Sequence, residues 1–472
     1  MKKSIAVILA FFILFNLTGC SVRVKNFRTP EDISDLDGTV ASLPETDSFT
    51  VHSTQDNVYT TDIFENTVVP TDTSETTKQP TEKPKEELCP VFTEEIYMST
   101  DIHTPLSPDK YYQKSFLSSS EQEIYELIVD AAKKGYSTVD ISAYSYDSED
   151  LLRIYYAVQA DYPQFFYLSG YFTYTTSRLT GAVNTVYLIY FDGSTTDYYE
   201  NNLALGKEAD RELISRQIKT FNNKTTQIVD MIPGDISEYE KEKMIYEYLQ
   251  DSVTFDDDSN DSPPDSYSEM ENHAFDSYGA ACEGKAVCEG YAELFQYLCY
   301  SVGIQATIVR GKTTRASHMW NAVCLDSEWY MVDPTWDDFD EDGLHCYSYF
   351  NVTDEYIKNS AHTVDSDGLH VPSCTSTRYA FYNMYSLFIE STSESPENYR
   401  EIIDYVASRN ETYMCVYVGN QSGDLTQYFQ KYVYSPQSDV QRYIELKNYP
   451  IKILSFYYNV NDIYYYIQIE RN

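Results

Sequence analysis

Gly284-Lys285-Ala286-Val287-Cys288-Glu289-Gly290-Tyr291-Ala292 is the stretch on which the reading of this chain turns. Beyond Cys288 the apolar positions Tyr291, Leu294, Phe295, Leu298 and Val302 fall on one helical face. Gly303 comes next as a C-terminal cap. Cys288 is therefore expected at a helix N-terminus. There the open N–H groups and the positive end of the helix dipole favour thiolate over thiol and can receive an oxyanion. Gly284 and Gly290 let backbone or substrate come close. A lone cysteine is as a rule a small buried hydrophobe. The functional reading of Cys288 therefore depends on a histidine and an aspartate further along the chain.

Ser317-His318-Met319-Trp320-Asn321 comes thirty residues on, and Val332-Asp333-Pro334-Thr335-Trp336 after that. Residues 318–325 alternate as a strand, Asp326-Ser327 reads as a two-residue turn, and 328–333 returns. In that register Leu325 faces Glu328 and Trp320 faces Asp333. His318 is then a diagonal neighbour of Asp333 on the same face, roughly 7–8 Å away at Cα. An imidazole and a carboxylate span that gap, whereas a one-residue slip would put them on opposite faces. A cysteine, a histidine and an aspartate so arranged are the parts of a thiol-nucleophile enzyme. All three tryptophans lie here. Trp320 and Trp329 share the His318 face, either walling the site or anchoring the hairpin in the core. For Trp329 the core is the preferred reading.

These residues resemble the transglutaminase-like superfamily, a branch of the papain-like cysteine enzymes. The likeness covers G-K-A-V-C-E-G-Y-A, S-H-M-W-N and W-Y-M-V-D-P-T-W in the family's order of Cys, His and Asp. It extends upstream to a helix at 238–252 with a capping box, Ser237 and Glu240, and an apolar face of Met244, Ile245, Tyr248 and Leu249. It implies an α+β fold: a helix bearing Cys288 packed on an antiparallel sheet bearing His318 and Asp333. It also implies that Cys288 is the nucleophile, His318 the general base and acid, and Asp333 the orienting group. The family's second oxyanion donor lies upstream of the cysteine, and Tyr278 is a candidate for it. Tyr278 and Trp320 are the substrate-side residues expected here.

The chain has 472 residues, too many for one ordinary domain. It opens with Lys2-Lys3 and an apolar run from Ile5 to Leu17, an export signal rather than a membrane span. Leu17-Thr18-Gly19-Cys20 resembles a bacterial lipobox. That resemblance implies that Cys20 becomes an acylated N-terminus on the outer face of the cell membrane; the alternative is a plain cleaved signal. The formal net charge of −40 argues against nucleic acid as a partner and is compatible with a cationic substrate or with simple solubility. Setting aside Cys20 and Cys288, seven of the nine cysteines remain, an odd number that argues against a fully paired disulfide framework. Cys282 and Cys288 lack a second pair at zinc spacing, so no metal is expected. Nor is a cofactor expected, because no nucleotide loop, calcium loop, flavin motif or haem motif is present.

Residues 21–88 are rich in Thr, Ser, Pro and Glu and read as a disordered tether. Two smaller α/β domains, 89–205 and 373–472, are expected to flank a catalytic core at 206–372. The first carries helices starting at a Ser120 cap and at Ser148, then strands at 165–174 and 185–191. A long helix is expected over 208–232. The last domain reads β-α-β-α-β-β. Tyrosine makes up 47 residues, more readily explained by strand propensity than by ligand stacking. His345 and His362 either line the cleft or belong to surface or core. The expectation is a lipid-anchored cysteine enzyme cutting protein or peptide amides through a thioester, with hydrolysis favoured over crosslinking. The alternative is an inert surface binding module on the same fold.

Overall fold

The computed structural model describes residues 27–28, 102–107, 110–177, 179–190, 211–261, 273–314, 316–338, 344–366, 368–389, 394–409, 411–419, 424–460 and 464–471. The export signal, Cys20 and nearly all of the 21–88 tether lie outside the described residues. The fold is α+β.

Helix α1 (Ser119–Lys134) opens on a capping box between Ser118 and Glu121. The cap is therefore Ser118 and not the expected Ser120. Three serines stand in a row at 118–120, and the one three residues before Glu121 is chosen because the glutamate reaches back to its amide, 2.6 Å away. Strand β1 (Thr138–Asp140) and helix α2 (Ser148–Asp161, capped by Asp147) come next. Strand β2 (Leu168–Thr176) starts three residues later than expected. Turn bonds from Phe165 N to Tyr162 O and from Leu168 N to Phe165 O hold 162–168 out of the ladder. Strand β3 (Val183–Tyr190) lies between β1 and β2.

Helix α3 (Arg211–Asp230) leads to α4 (Glu238–Ser252), whose Ser237–Glu240 capping box forms as the sequence predicts. Thr254 and Phe255 then pair in parallel with Lys285 and Ala286. This pairing brings the quoted motif beside the end of α4. Gly284, at φ +69°, turns the chain into it. Helix α5 (Cys288–Ser301) begins there. Its buried stripe of Tyr291, Leu294, Phe295 and Leu298 is the predicted one.

Strands β4 (Gln305–Lys312), β5 (Ser317–Leu325), β6 (Glu328–Val332) and β7 (Thr363–Val364) form an antiparallel sheet in the order β7-β4-β5-β6. Leu325 pairs with Glu328, as the two-residue loop requires. Asp326 (φ 49°) and Ser327 (φ 70°) both take left-handed backbone, the twist a tight hairpin turn needs. Helix α5 packs on β4 and β5.

After α6 (Asp354–Asn359) the chain builds β8 (Leu387–Ile389), α7 (Tyr399–Arg409), β9 (Tyr413–Val418), a helical stretch over 425–434, α8 (Asp439–Lys447), β10 (Ile451–Val460) and β11 (Tyr464–Arg471). The sheet order is β10-β11-β9-β8, with Phe27–Arg28 on the β10 edge. Helix α8 is separate from the preceding one. Ser435-Pro436 breaks the chain and Ser438 caps afresh. One hydrophobic cluster runs from Ile124 and Tyr155 through Leu294 and Phe295 to Phe350, so α1 and α2 share a core with α5. A second joins Leu387, Ile402, Val416 and Ile467.

Candidate active site

Asp333 is the fixed point of the site. It is fully buried and stands immediately after β6, where Pro334 ends the strand. Its backbone amide donates to Tyr349 O at 3.0 Å, and its carbonyl accepts from the Tyr246 hydroxyl at 3.1 Å. Oδ1 accepts from the amides of Thr335 and Trp336, each 3.1 Å away. Oδ2 faces two imidazoles. His318 Nε2 lies 2.7 Å from it and His362 Nε2 3.1 Å. Burial pushes the carboxyl up, but the charge and hydrogen bond of His318, together with those of His362, outweigh it and hold Asp333 below the ordinary carboxylate range.

The diagonal His318–Asp333 relation read from the hairpin register is thus present, and the bond closes it. His318 is 4% exposed. Its ring lies 5.8 Å from both Trp320 and Trp336 and 5.3 Å from His362. Such a dry aromatic surround strengthens the imidazole–carboxylate attraction. Because the ionised Asp333 only accepts, His318 carries its proton on Nε2, which leaves Nδ1 as the basic atom. Nδ1 is buried and has no hydrogen-bond partner among the described residues. A bond from the Cys288 thiol to this nitrogen would complete the arrangement, and such contacts often close only when substrate binds.

Cys288 is half-buried, outside any disulfide, and occupies the first position of α5. Val287 precedes it with no capping side chain. The Val287 amide donates to Ala274 O at 2.8 Å, pinning the entry to the helix. Gly290 is required by backbone packing. A Cβ there would come within 2.7 Å of Asp276 O and 2.8 Å of the Ala286 Cβ. Glu289 and Glu293, one turn apart on α5, and the nearby Asp276 are all pushed up by burial, with Arg310 opposing this at both glutamates. Asp276 also bonds His273 Nδ1 at 2.7 Å.

Trp320 is fully buried and stacks against His318, so it acts on the imidazole and has no surface to offer a substrate from solvent. Trp336, to which the sequence assigns no role, is the second tryptophan at His318. Trp329 packs away from it, 4.7 Å from Tyr112. The Tyr278 ring lies against His273 (4.5 Å) and Phe166 (5.0 Å), and its hydroxyl faces Thr220 of α3. This places it on the α3 side of the motif. His345 bonds Asp251 of α4 at 2.9 Å.

Sequence reasoning misses the tyrosine–aspartate ties that lock these parts together. The Tyr246 hydroxyl lies 2.6 Å from Asp337 Oδ2, and Tyr291 of the quoted motif lies 2.5 Å from Asp338 Oδ2. Periodicity counts Tyr291 as an apolar stripe position and gives Tyr246 no place at all. The acidic pair just after Pro334-Thr335-Trp336 is the available signal. His318, Asp333 and His362 bring possible ligand atoms within 4.8 Å of one another. Two imidazole N–H donors on one ionised carboxylate account for this cluster with protons alone.

Residues 226–334 match the transglutaminase-like superfamily, and this part of the chain is a transglutaminase-like domain. It contains Cys288, His318 and Asp333 and stops short of His362. Two curated relatives are each similar to part of this chain. Kyphoscoliosis peptidase of Mus musculus is 26% identical over 121 residues, 23% of this chain and 17% of that protein. Kyphoscoliosis peptidase of Homo sapiens is 32% identical over 80 residues, 14% of this chain and 12% of that protein. The chain thus spans less than a fifth of the length of either relative. A solved structure described as a TGase is similar with 18% identity and a TM-score of 0.24, over 38% of this chain and 47% of that one.

Proposed function

We propose that this protein is a cysteine enzyme acting on protein or peptide amides through Cys288, His318 and Asp333. Cys288 Sγ attacks the carbonyl carbon, and the thiol proton passes to His318 Nδ1. The tetrahedral oxyanion rests at the positive end of α5. His318 returns the proton to the leaving amine as the C–N bond breaks, giving a thioester. Water, deprotonated at the same nitrogen, then releases the acid and the thiol. Asp333 holds the imidazole in the tautomer these transfers require. The observation that carries the reading is the buried 2.7 Å bond between His318 Nε2 and Asp333 Oδ2, which leaves Nδ1 as the open base.

Hydrolysis, as by a peptidase or deamidase, is favoured over crosslinking, since nothing among the described residues marks a site for an acceptor amine. The proposed setting is the outer face of the cell membrane, with the chain held through an acylated Cys20. Incubating the protein with a peptide library, with and without a primary amine, separates hydrolysis from crosslinking by product mass. Turnover surviving Cys288→Ala would end the reading of Cys288 as the nucleophile. A rival reading, an inert binding module, has one observation in its favour, the unbonded Nδ1. It predicts that Cys288 reacts with an electrophile no faster than the other thiols.

A further inference from the structure

His362 lies beyond the matched domain residues, yet it bonds the same oxygen of Asp333 as His318 does. Its Nε2 is 3.1 Å from Asp333 Oδ2 and its Nδ1 3.1 Å from Ser360 O. A carboxylate and a backbone carbonyl can only accept. Both bonds are made together only when both ring nitrogens carry protons, that is, when His362 is an imidazolium. The side chain is fully enclosed, with ring centroids of Trp336 at 4.3 Å, Trp320 at 5.2 Å and Tyr349 at 5.6 Å. Ala361, just before it, sits at φ 71°. A non-glycine residue pays conformational energy there, and the turn it makes folds His362 back over Ser360. Among the described residues the charged or titratable groups against His362 are Asp333, His318 and Tyr349, with Asp337 further off across the Tyr349 amide.

We propose that His362 is a cationic positioning residue that shares Asp333 with His318 and weakens the hold of Asp333 on a protonated His318. This deepens the proposed function and rests on it for its catalytic consequence. With His362 charged, Asp333 is already matched. A second imidazolium at His318 then gains less from the carboxylate than it would from an unshared one. The resting pair is shifted toward thiol and neutral imidazole, and a protonated His318 becomes a readier donor to the leaving amine. Removing the His362 charge while keeping a donor to Asp333 reverses this.

The test uses the full chain, reduced, and its His362→Gln and His362→Phe variants. Iodoacetamide labelling of Cys288 is monitored across pH by mass spectrometry, alongside nitrogen-15 NMR of histidine-labelled protein with His362 assigned by its loss in His362→Gln. The expected results are that both His362 nitrogens are protonated at pH 7, and that labelling of Cys288 at pH 6 is about tenfold faster in His362→Gln than in the unaltered protein, as a shift of about one pH unit gives. His362→Gln retains one amide donor; His362→Phe tests loss of both. A singly protonated His362 at pH 7 overturns the proposal, as does an unchanged labelling profile in folded His362→Gln when Cys288 is reactive. If Cys288 labels no faster than Cys299 at any pH while His362 is doubly protonated, the enzymatic reading fails and the shared ion pair stands.

Discussion

Asn321 of β5 donates its side-chain amide to the carbonyl of Ala292, 3.0 Å away in α5. The bond ties the strand of His318 to the helix of Cys288 one turn beyond the thiol, inside a fully buried contact. Asn321→Ala is expected to cost about 0.5–1.5 kcal/mol, the net worth of one buried hydrogen bond, since Ala292 O keeps its place in the helix ladder. Urea unfolding measures this loss. The labelling rate of Cys288 should fall in the folded fraction as the two elements lose register.

Asp333 is held below the ordinary carboxylate range, so its sign is that of a stabilising carboxylate. Its contribution is present above the unfolded value near pH 4 and is lost as pH falls through the lower folded value. Asp333→Asn should therefore be less stable than the unaltered protein at pH 7, with the gap closing in strong acid. Melting temperatures from pH 2 to 7 test this. The same variant should reduce turnover by roughly 10³–10⁴, since an amide no longer fixes the His318 tautomer.

Glu242 has the opposite sign. It is fully buried, with one oxygen bonded to Asn351 Nδ2 at 2.9 Å, and burial pushes it up to about 8 despite that bond. Its stabilisation is full below the unfolded value and is lost as pH rises through the folded one. Glu242→Gln should match the original protein near pH 4 and exceed it at pH 8 by on the order of 4 kcal/mol. Equal pH slopes for the two proteins would contradict this.

Burial raises Cys299 well above the ordinary thiol range and lifts Cys415 and Cys282 to about 12. These thiols stay protonated at neutral pH. Brief iodoacetamide treatment at pH 7 should therefore modify Cys288 ahead of all three, as mapped by peptide mass spectrometry. Labelling led by Cys282 would count against an activated Cys288.

Gly311 lies opposite His318 in the β4–β5 ladder. A Cβ there would come within 2.3 Å of Thr363 O and 2.5 Å of the Trp320 ring. Gly311→Ala should cost about 1–3 kcal/mol, as overpacking does. It should also disturb His362, the residue just before Thr363, in the histidine NMR spectrum.

What the sequence by itself determined is local or set by a short turn. Cys288 begins a helix because its apolar stripe has helical period and Gly284 turns the chain into it. His318 and Asp333 meet because Asp326-Ser327 allows only a two-residue turn, and register in a hairpin is set by turn length. The α4 cap is legible for the same reason, while the run of serines at 118–120 blurs the α1 cap by two residues. Only the tertiary structure decided which distant groups close on this frame. His362 reaches Asp333 from 29 residues away through a left-handed Ala361, and Trp336 rather than Trp329 stands beside His318. The tyrosines of two helices find Asp337 and Asp338 through their hydroxyls. Periodicity counts a tyrosine as apolar and is silent on its oxygen. The partner of a buried polar atom is set by packing between elements, where no spacing rule applies.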